Sequence, residues 1–86
     1  MRADLYRRVE TNNEVSFLAV PEGQAIPEEA TNLDWQKHAQ SVPLGSEADV
    51  LSTYGIEGLT EQVREKGYAI TGVQHRIANA HVGDDA

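Results

Sequence analysis

The chain predicts an α+β fold, a small antiparallel or mixed sheet of about three to four strands with two short helices packed on one face. Three observations predict it. Two runs of β-type residues open the chain on either side of Thr11-Asn12-Asn13-Glu14; two later segments of helical spacing each stop at a glycine; and an apolar run follows the second of those glycines. The resulting order is β–β–(β)–α–α–β. The 86 residues suit one domain, expected over 1–77, with 78–86 a small, polar, flexible tail.

The first strand is expected over Ala3–Glu10 and the second over Val15–Val20. Asparagine tolerates the left-handed conformations of tight turns, so the pair reads as a hairpin. In the first strand Ala3, Leu5 and Val9 share one face; Asp4, Tyr6, Arg8 and Glu10 share the other, which is expected to be exposed. Arg7 falls on the apolar face and interrupts it, either snorkelling at the sheet edge or meeting a carboxylate. Phe17 and Leu18 are both apolar and point to opposite faces, so alternation alone does not choose the register. Pro21 ends the second strand, because it has no N–H to donate.

Glu22–Ile26 has turn chemistry, and Pro27-Glu28-Glu29-Ala30 reads as one helical turn closed by Asn32. Between Leu33 and Leu44 the spacing of Leu33 and Trp35 is strand-like, whereas that of Trp35, Ala39 and Val42 is helical. The extended exit through Ser41-Val42-Pro43 favours a strand over 34–42. Ser46-Glu-Ala-Asp49 is a capping-box variant that starts the first helix. Val50, Leu51 and Tyr54 then share a face, Gly55 stops the helix, and Ile56 is expected to fold back on Leu51. The second helix is expected from Thr60 as N-cap to Lys66, stopped by Gly67, with Tyr68 folding back on Val63. A last strand is expected over Tyr68–Ile77, with Gly72 marking a bulge or a close approach.

Composition narrows the function classes. Fourteen acidic and seven basic residues leave a formal charge of −7, a field that repels phosphate backbones and anionic membranes. Nucleic-acid binding, through Arg2, Arg7 and Arg8, is therefore unfavoured, and that strand reads first as a charged face opposing edge-to-edge aggregation. With no cysteine, neither disulfides nor thiolate zinc sites reinforce the small core, which favours the cytoplasm. The N-terminal residues carry no apolar signal segment, and no apolar run approaches the length of a membrane span.

No motif specifies catalysis, a cofactor or a metal. His38, His75 and His81 are scattered, and the glycines fall singly rather than in a phosphate-binding loop. The carboxylate pairs Glu28–Glu29 and Asp84–Asp85 read as solvated charges. Asp34, Trp35 and His38 would supply material for a site if that segment were helical. On a strand Asp34 and His38 stand about 13 Å apart. Trp35 is the residue most suited to anchoring a partner, if it is exposed beside Tyr6 or Tyr54; otherwise it is a core aromatic.

Leu5-Tyr6-Arg7-Arg8, Phe17-Leu18-Ala19-Val20-Pro21, Ala25 through Asn32 with Asp34-Trp35, and Lys66-Gly67-Tyr68-Ala69-Ile70-Thr71 resemble a small proteobacterial family of unknown function. More loosely, the Tyr-Arg hairpin, the Val20-Pro21 ending, the Ile-Pro-Glu-Glu turn and Lys66-Gly67-Tyr68 look like the YcgL-like family of small α/β proteins. Neither resemblance implies catalytic residues. The expectation is an accessory or protein-interaction module, not an enzyme and without cofactor, engaging another protein or itself through Trp35, Tyr6, Arg7, Arg8 and His38. The alternatives are a ligand-binding or catalytic cleft near Trp35 and His38, and weak nucleic-acid binding through the N-terminal arginines.

Overall fold

The computed structural model describes residues 1–28 and 34–78. Its elements are β1 (Arg2–Val9), β2 (Glu14–Pro21), β3 (Gln36–Pro43), α1 (Glu47–Tyr54), α2 (Leu59–Lys66), β4 (Ala69–Ile70) and β5 (Ile77–Ala78). Among the described residues they form a five-stranded antiparallel sheet in the order β3-β1-β2-β4, with β5 also on β2. Half of the turn expected at 27–30, with Asn32, and the tail beyond Ala78 lie outside the described residues. Ala78 itself, placed by the sequence in that tail, pairs with Glu14.

The hairpin forms as the asparagines require. Asn12 and Asn13 have φ of 62° and 59°, and the Glu10 amide closes the turn by donating to the Glu14 carbonyl at 2.7 Å. Pairing of Leu5 with Ala19 and of Arg7 with Phe17 settles the open register. Phe17 joins Ala3, Leu5, Val15 and Ala19 on the face that receives Val50, Ile56 and Leu59 from the helical half. Leu18 and Val20 take the opposite face, under Tyr6, Ile26, Trp35, Tyr68 and Ile70. Both faces of β2 are thus dry, and its residues 15–20 are all buried. The opposite face of β1, expected to be exposed, is partly covered for the same reason, and Asp4 is buried. Val9, expected in the core, is instead 55% exposed at the end of β1.

Residues 36–43 are extended, so the strand alternative holds over Leu33–Leu44 where the chain is described. This edge strand carries two register shifts against β1. Ser41 has φ of 55°, and the buried Asp4 carboxylate accepts its amide at 2.9 Å while Arg2 donates to its carbonyl at 2.6 Å. Asp4 is buried in order to hold a bulge.

Helix α1 matches its sequence signals. Ser46 Oγ accepts from the Asp49 amide at 3.1 Å, and Gly55, at φ 68°, returns its N–H to the Leu51 carbonyl. Ile56 is fully buried in the main core. In α2 the expected cap is corrected: Gly58, at φ 65°, precedes the helix and Thr60 lies inside its first turn. The Thr60 amide donates to Glu47 Oε2 of α1 at 3.1 Å, so a neighbouring helix supplies the missing cap. After Gly67, Tyr68 packs against the cluster on the helix-free face of the sheet, and Val63 against the cluster on the helical face.

The long final strand is also corrected. Only Ala69–Ile70 and Ile77–Ala78 pair with β2; a 3-10 turn at Val73–His75 lifts the chain away between them. Thr71 fills the break. Its hydroxyl accepts from the Phe17 amide at 2.7 Å and donates to the Tyr54 carbonyl at 2.7 Å, while its own amide donates to the Phe17 carbonyl at 3.0 Å. Gly72 then donates its amide to the Gly55 carbonyl. Gly55 is needed twice over: for its left-handed φ, and because a Cβ there would stand 2.2 Å from the His75 carbonyl oxygen.

Three substitutions, with Gly67 as the comparison outside the junction, test this account by urea unfolding. Thr71→Val keeps the shape but orphans the buried Phe17 amide and the part-buried Tyr54 carbonyl, and is expected to cost about 2–3 kcal/mol. Gly67→Ala meets no neighbour within 4 Å and is expected to cost about 1 kcal/mol for its left-handed φ alone. Gly55→Ala carries the clash as well, so it is expected to cost distinctly more than Gly67→Ala; equal losses would refute the close-approach argument.

Candidate functional site

The helix-free face of the sheet collects most of the chain's aromatic residues. Alternation puts Tyr6 of β1 there beside Leu18 and Val20 of β2. Trp35, just before β3, and Tyr68, just before β4, close on the same cluster from either side. All three rings are half-buried. Lys37 Nζ stands 5.5 Å from the Tyr6 ring centre and Lys66 Nζ 4.9 Å from that of Tyr68, both within cation–π range. The Trp35 indole Nε1 is buried and, among the described residues, has no acceptor. Such an unmet donor costs about 1–3 kcal/mol.

Towards the hairpin end, the same face becomes ionic. Arg8 Nη1 donates to Glu10 Oε1 at 2.6 Å, and Arg76 Nη2 lies 3.6 Å from that same oxygen. Burial pushes the Glu10 carboxyl up. The hydrogen bonds from Arg8 and buried Ser16, with the charges of Arg8 and Arg76, outweigh it and hold the pKa below its ordinary value of 4.5. On the helical face Glu47, capping α2, is likewise lowered by its hydrogen bonds to the Thr60 side chain and amide.

The residues selected from sequence divide between the two faces. Trp35, Tyr6 and Arg8 belong to the helix-free side. Arg7 pairs across from Phe17 and so alternates to the helical side, and the exposed His38 ring meets Phe17 edge-on at 5.2 Å there. Trp35 and His38 therefore do not share a cleft. Nor do the three N-terminal arginines form one patch: Arg2 serves Ser41 and Glu22, Arg8 serves Glu10, and Arg7 faces the other way. The sequence reading missed Arg76, Tyr68 and the two lysines. Arg8 and Glu10, two apart on a strand, were a legible signal for part of the ion cluster; Arg76 arrives only through the pairing of β5.

Two surface grooves lie elsewhere. One of about 340 Å³ runs between Met1, Leu59 and Val63, a volume at the low end for small-molecule sites. Glu47 and Arg64 on its rim are already engaged with Thr60 and Glu61. The other, about 160 Å³, lies beside α1 against Pro43–Gly45. Among the described residues no group of three or more histidine, cysteine or acidic side chains is placed to hold a metal, and no helix is long and apolar enough to cross a membrane.

The fold and this face define a small α+β domain with a half-covered aromatic sheet face and an arginine–glutamate cluster at one end. The chain belongs to the family of unknown function DUF6139, whose model matches residues 1–77. That match supports the first resemblance drawn from sequence; none supports the likeness to the YcgL-like family. No curated protein and no solved structure matches the chain.

The Glu10 cluster gives a pH prediction. A carboxyl whose folded pKa lies below its unfolded one contributes stability that is present above the unfolded value and lost as pH falls through the folded one. Glu10→Gln is therefore expected to flatten the loss of stability on acidification below about pH 5, measured by urea midpoints against pH. Parallel curves for the variant and the parent would disprove the assignment.

Proposed function

We propose that the chain is a non-enzymatic interaction module that docks an acidic partner on its helix-free sheet face. The observation that carries this reading is the gathering of Tyr6, Trp35 and Tyr68 on one face, with Lys37 and Lys66 over two of the rings. Rigid, half-buried aromatics contribute contact area at little entropic cost, and the lysines favour carboxylates at the rim.

The face is a better docking surface than either strand edge. The β3 edge is doubly bulged. The outer edge of β4 is occupied, because the Gln62 side chain accepts from the Ile70 amide at 3.0 Å and reaches back to its carbonyl at 3.4 Å. Self-association by strand addition is disfavoured accordingly. The cytoplasm is the compartment that suits so small a cysteine-free chain.

The test is photo-cross-linking in cells, with a photoreactive phenylalanine analogue at position 6 or, as control, at position 61 on α2. Adducts are expected from position 6 alone. Combining Lys37→Glu with Lys66→Glu is expected to lower their yield by about fivefold, equivalent to roughly 1 kcal/mol. Equal adducts from both positions, or a yield indifferent to charge reversal, would defeat the proposal. Light scattering of the purified chain distinguishes a second copy from a different, acidic partner; a homodimer held through this face would count against the latter.

A further inference from the structure

We propose that Arg8 and Arg76 form a binding site for a small oxyanion, a phosphate or carboxylate group held between the two guanidinium groups at the hairpin end of the helix-free face. The site is separate from the aromatic docking surface and stands whether or not that surface has a partner.

The argument starts from charge and hydrogen-bond accounting. Both guanidinium groups approach a single oxygen, Glu10 Oε1, at 2.6 and 3.6 Å. Only the first of these contacts is a hydrogen bond. Among the described residues one carboxylate therefore serves two cations, and most of their donors take no acceptor. The Nε atoms of both arginines are buried and unpartnered among the described residues. Two like charges sharing one counter-ion repel each other, and in a partly desolvated setting that repulsion is poorly screened.

Among the described residues no other carboxylate completes the site. Alternation along β2 puts Glu14 on the same sheet face, but it forms no ion pair with either arginine. The Ser16 hydroxyl is committed to Glu10. Access is retained: the Arg8 and Arg76 side chains are 29% and 27% exposed, while Glu10 beneath them is 10% exposed. Arginine forks match the paired oxygens of phosphate and carboxylate groups, so the unfilled valence is for an oxyanion rather than for a halide or a neutral polar group. The chain's net charge of −7 repels anions at long range. Recognition must then come from direct hydrogen bonds, and chloride at equal ionic strength should not reproduce it.

The tertiary structure assembles this pair. Arg8 comes from β1, Arg76 from the residue before β5, and Glu10 from the hairpin turn between β1 and β2. Pairing of Ile77 with Val15 sets Arg76 beside Ser16. In that arrangement Glu10 resembles a resident anion that orients both arginines and competes with a ligand for them.

The experiment follows arginine Nε–Hε resonances of the intact chain by NMR during titration with inorganic phosphate, acetate and chloride. Saturable shifts of Arg8 and Arg76 with phosphate, acetate or both are expected, with Arg64 as a surface control that moves little. Response to phosphate alone identifies a phosphate-type ligand, and response to both oxyanions identifies a general oxyanion site. Arg76→Gln is expected to abolish the Arg8 shift. Glu10→Gln removes the competing anion and is expected to tighten phosphate binding several-fold, so that phosphate raises the melting temperature of this variant more than that of the parent. This second variant keeps the idea testable if Arg76→Gln fails to fold. Shifts no larger than those of Arg64, or matched by chloride, would overturn the proposal, as would a Glu10→Gln variant that phosphate does not stabilise more than the parent.

Discussion

The structure depends on keeping the central strand hydrogen-bonded where its outer neighbour breaks. β2 is buried on both faces, so each of its backbone groups needs a partner within the protein. Between Ile70 and Ile77 the last segment leaves the sheet, and Phe17 would face that gap unpaired. Thr71 replaces the absent strand with its amide and hydroxyl, and the same hydroxyl ties down the last carbonyl of α1. Gly55 lets the two segments approach closely enough for this to happen. One side chain thus joins the sheet, the end of the first helix and the closing segment.

A recurring device elsewhere is the side chain that serves as backbone partner. Asp4 and Arg2 hold the bulged Ser41, Glu47 caps the neighbouring helix, and Gln62 occupies the outer edge of β4. With short elements and few residues, regular secondary structure cannot satisfy every terminus and edge. Polar side chains take over, which also removes the exposed ladders that would invite edge-to-edge association. The helix-free face is left as the broad surface on which aromatic and cationic groups are displayed together.

The two readings of that face rest on different physics. The aromatic part offers apolar area rimmed by lysines, suited to a macromolecular partner bearing carboxylates. The arginine part sets two guanidinium groups against one carboxylate among the described residues, an arrangement proposed to suit a small group with paired oxygens. Their positions on one surface come from strand alternation: Tyr6 and Arg8 are two apart on β1, as Ser16 and Leu18 are on β2.

Local signals in the sequence determined the hairpin, the Ser46 cap, the glycine stops after both helices and the α+β class, because each depends on residues within a few positions of one another. The faces of β1 were legible as well, although burial of Asp4 was not, since its partner Ser41 is distant in sequence. The Gly58 start of α2 escaped because its missing cap comes from Glu47, and the break after Ile70 escaped because Thr71 in isolation is an ordinary strand residue. Only the tertiary structure decided which side chains from different strands share a surface: it separated Trp35 from His38 and brought Arg76 to Glu10. Contacts across a sheet are set by register and by the path of the closing segment, and alternation within a single strand contains neither.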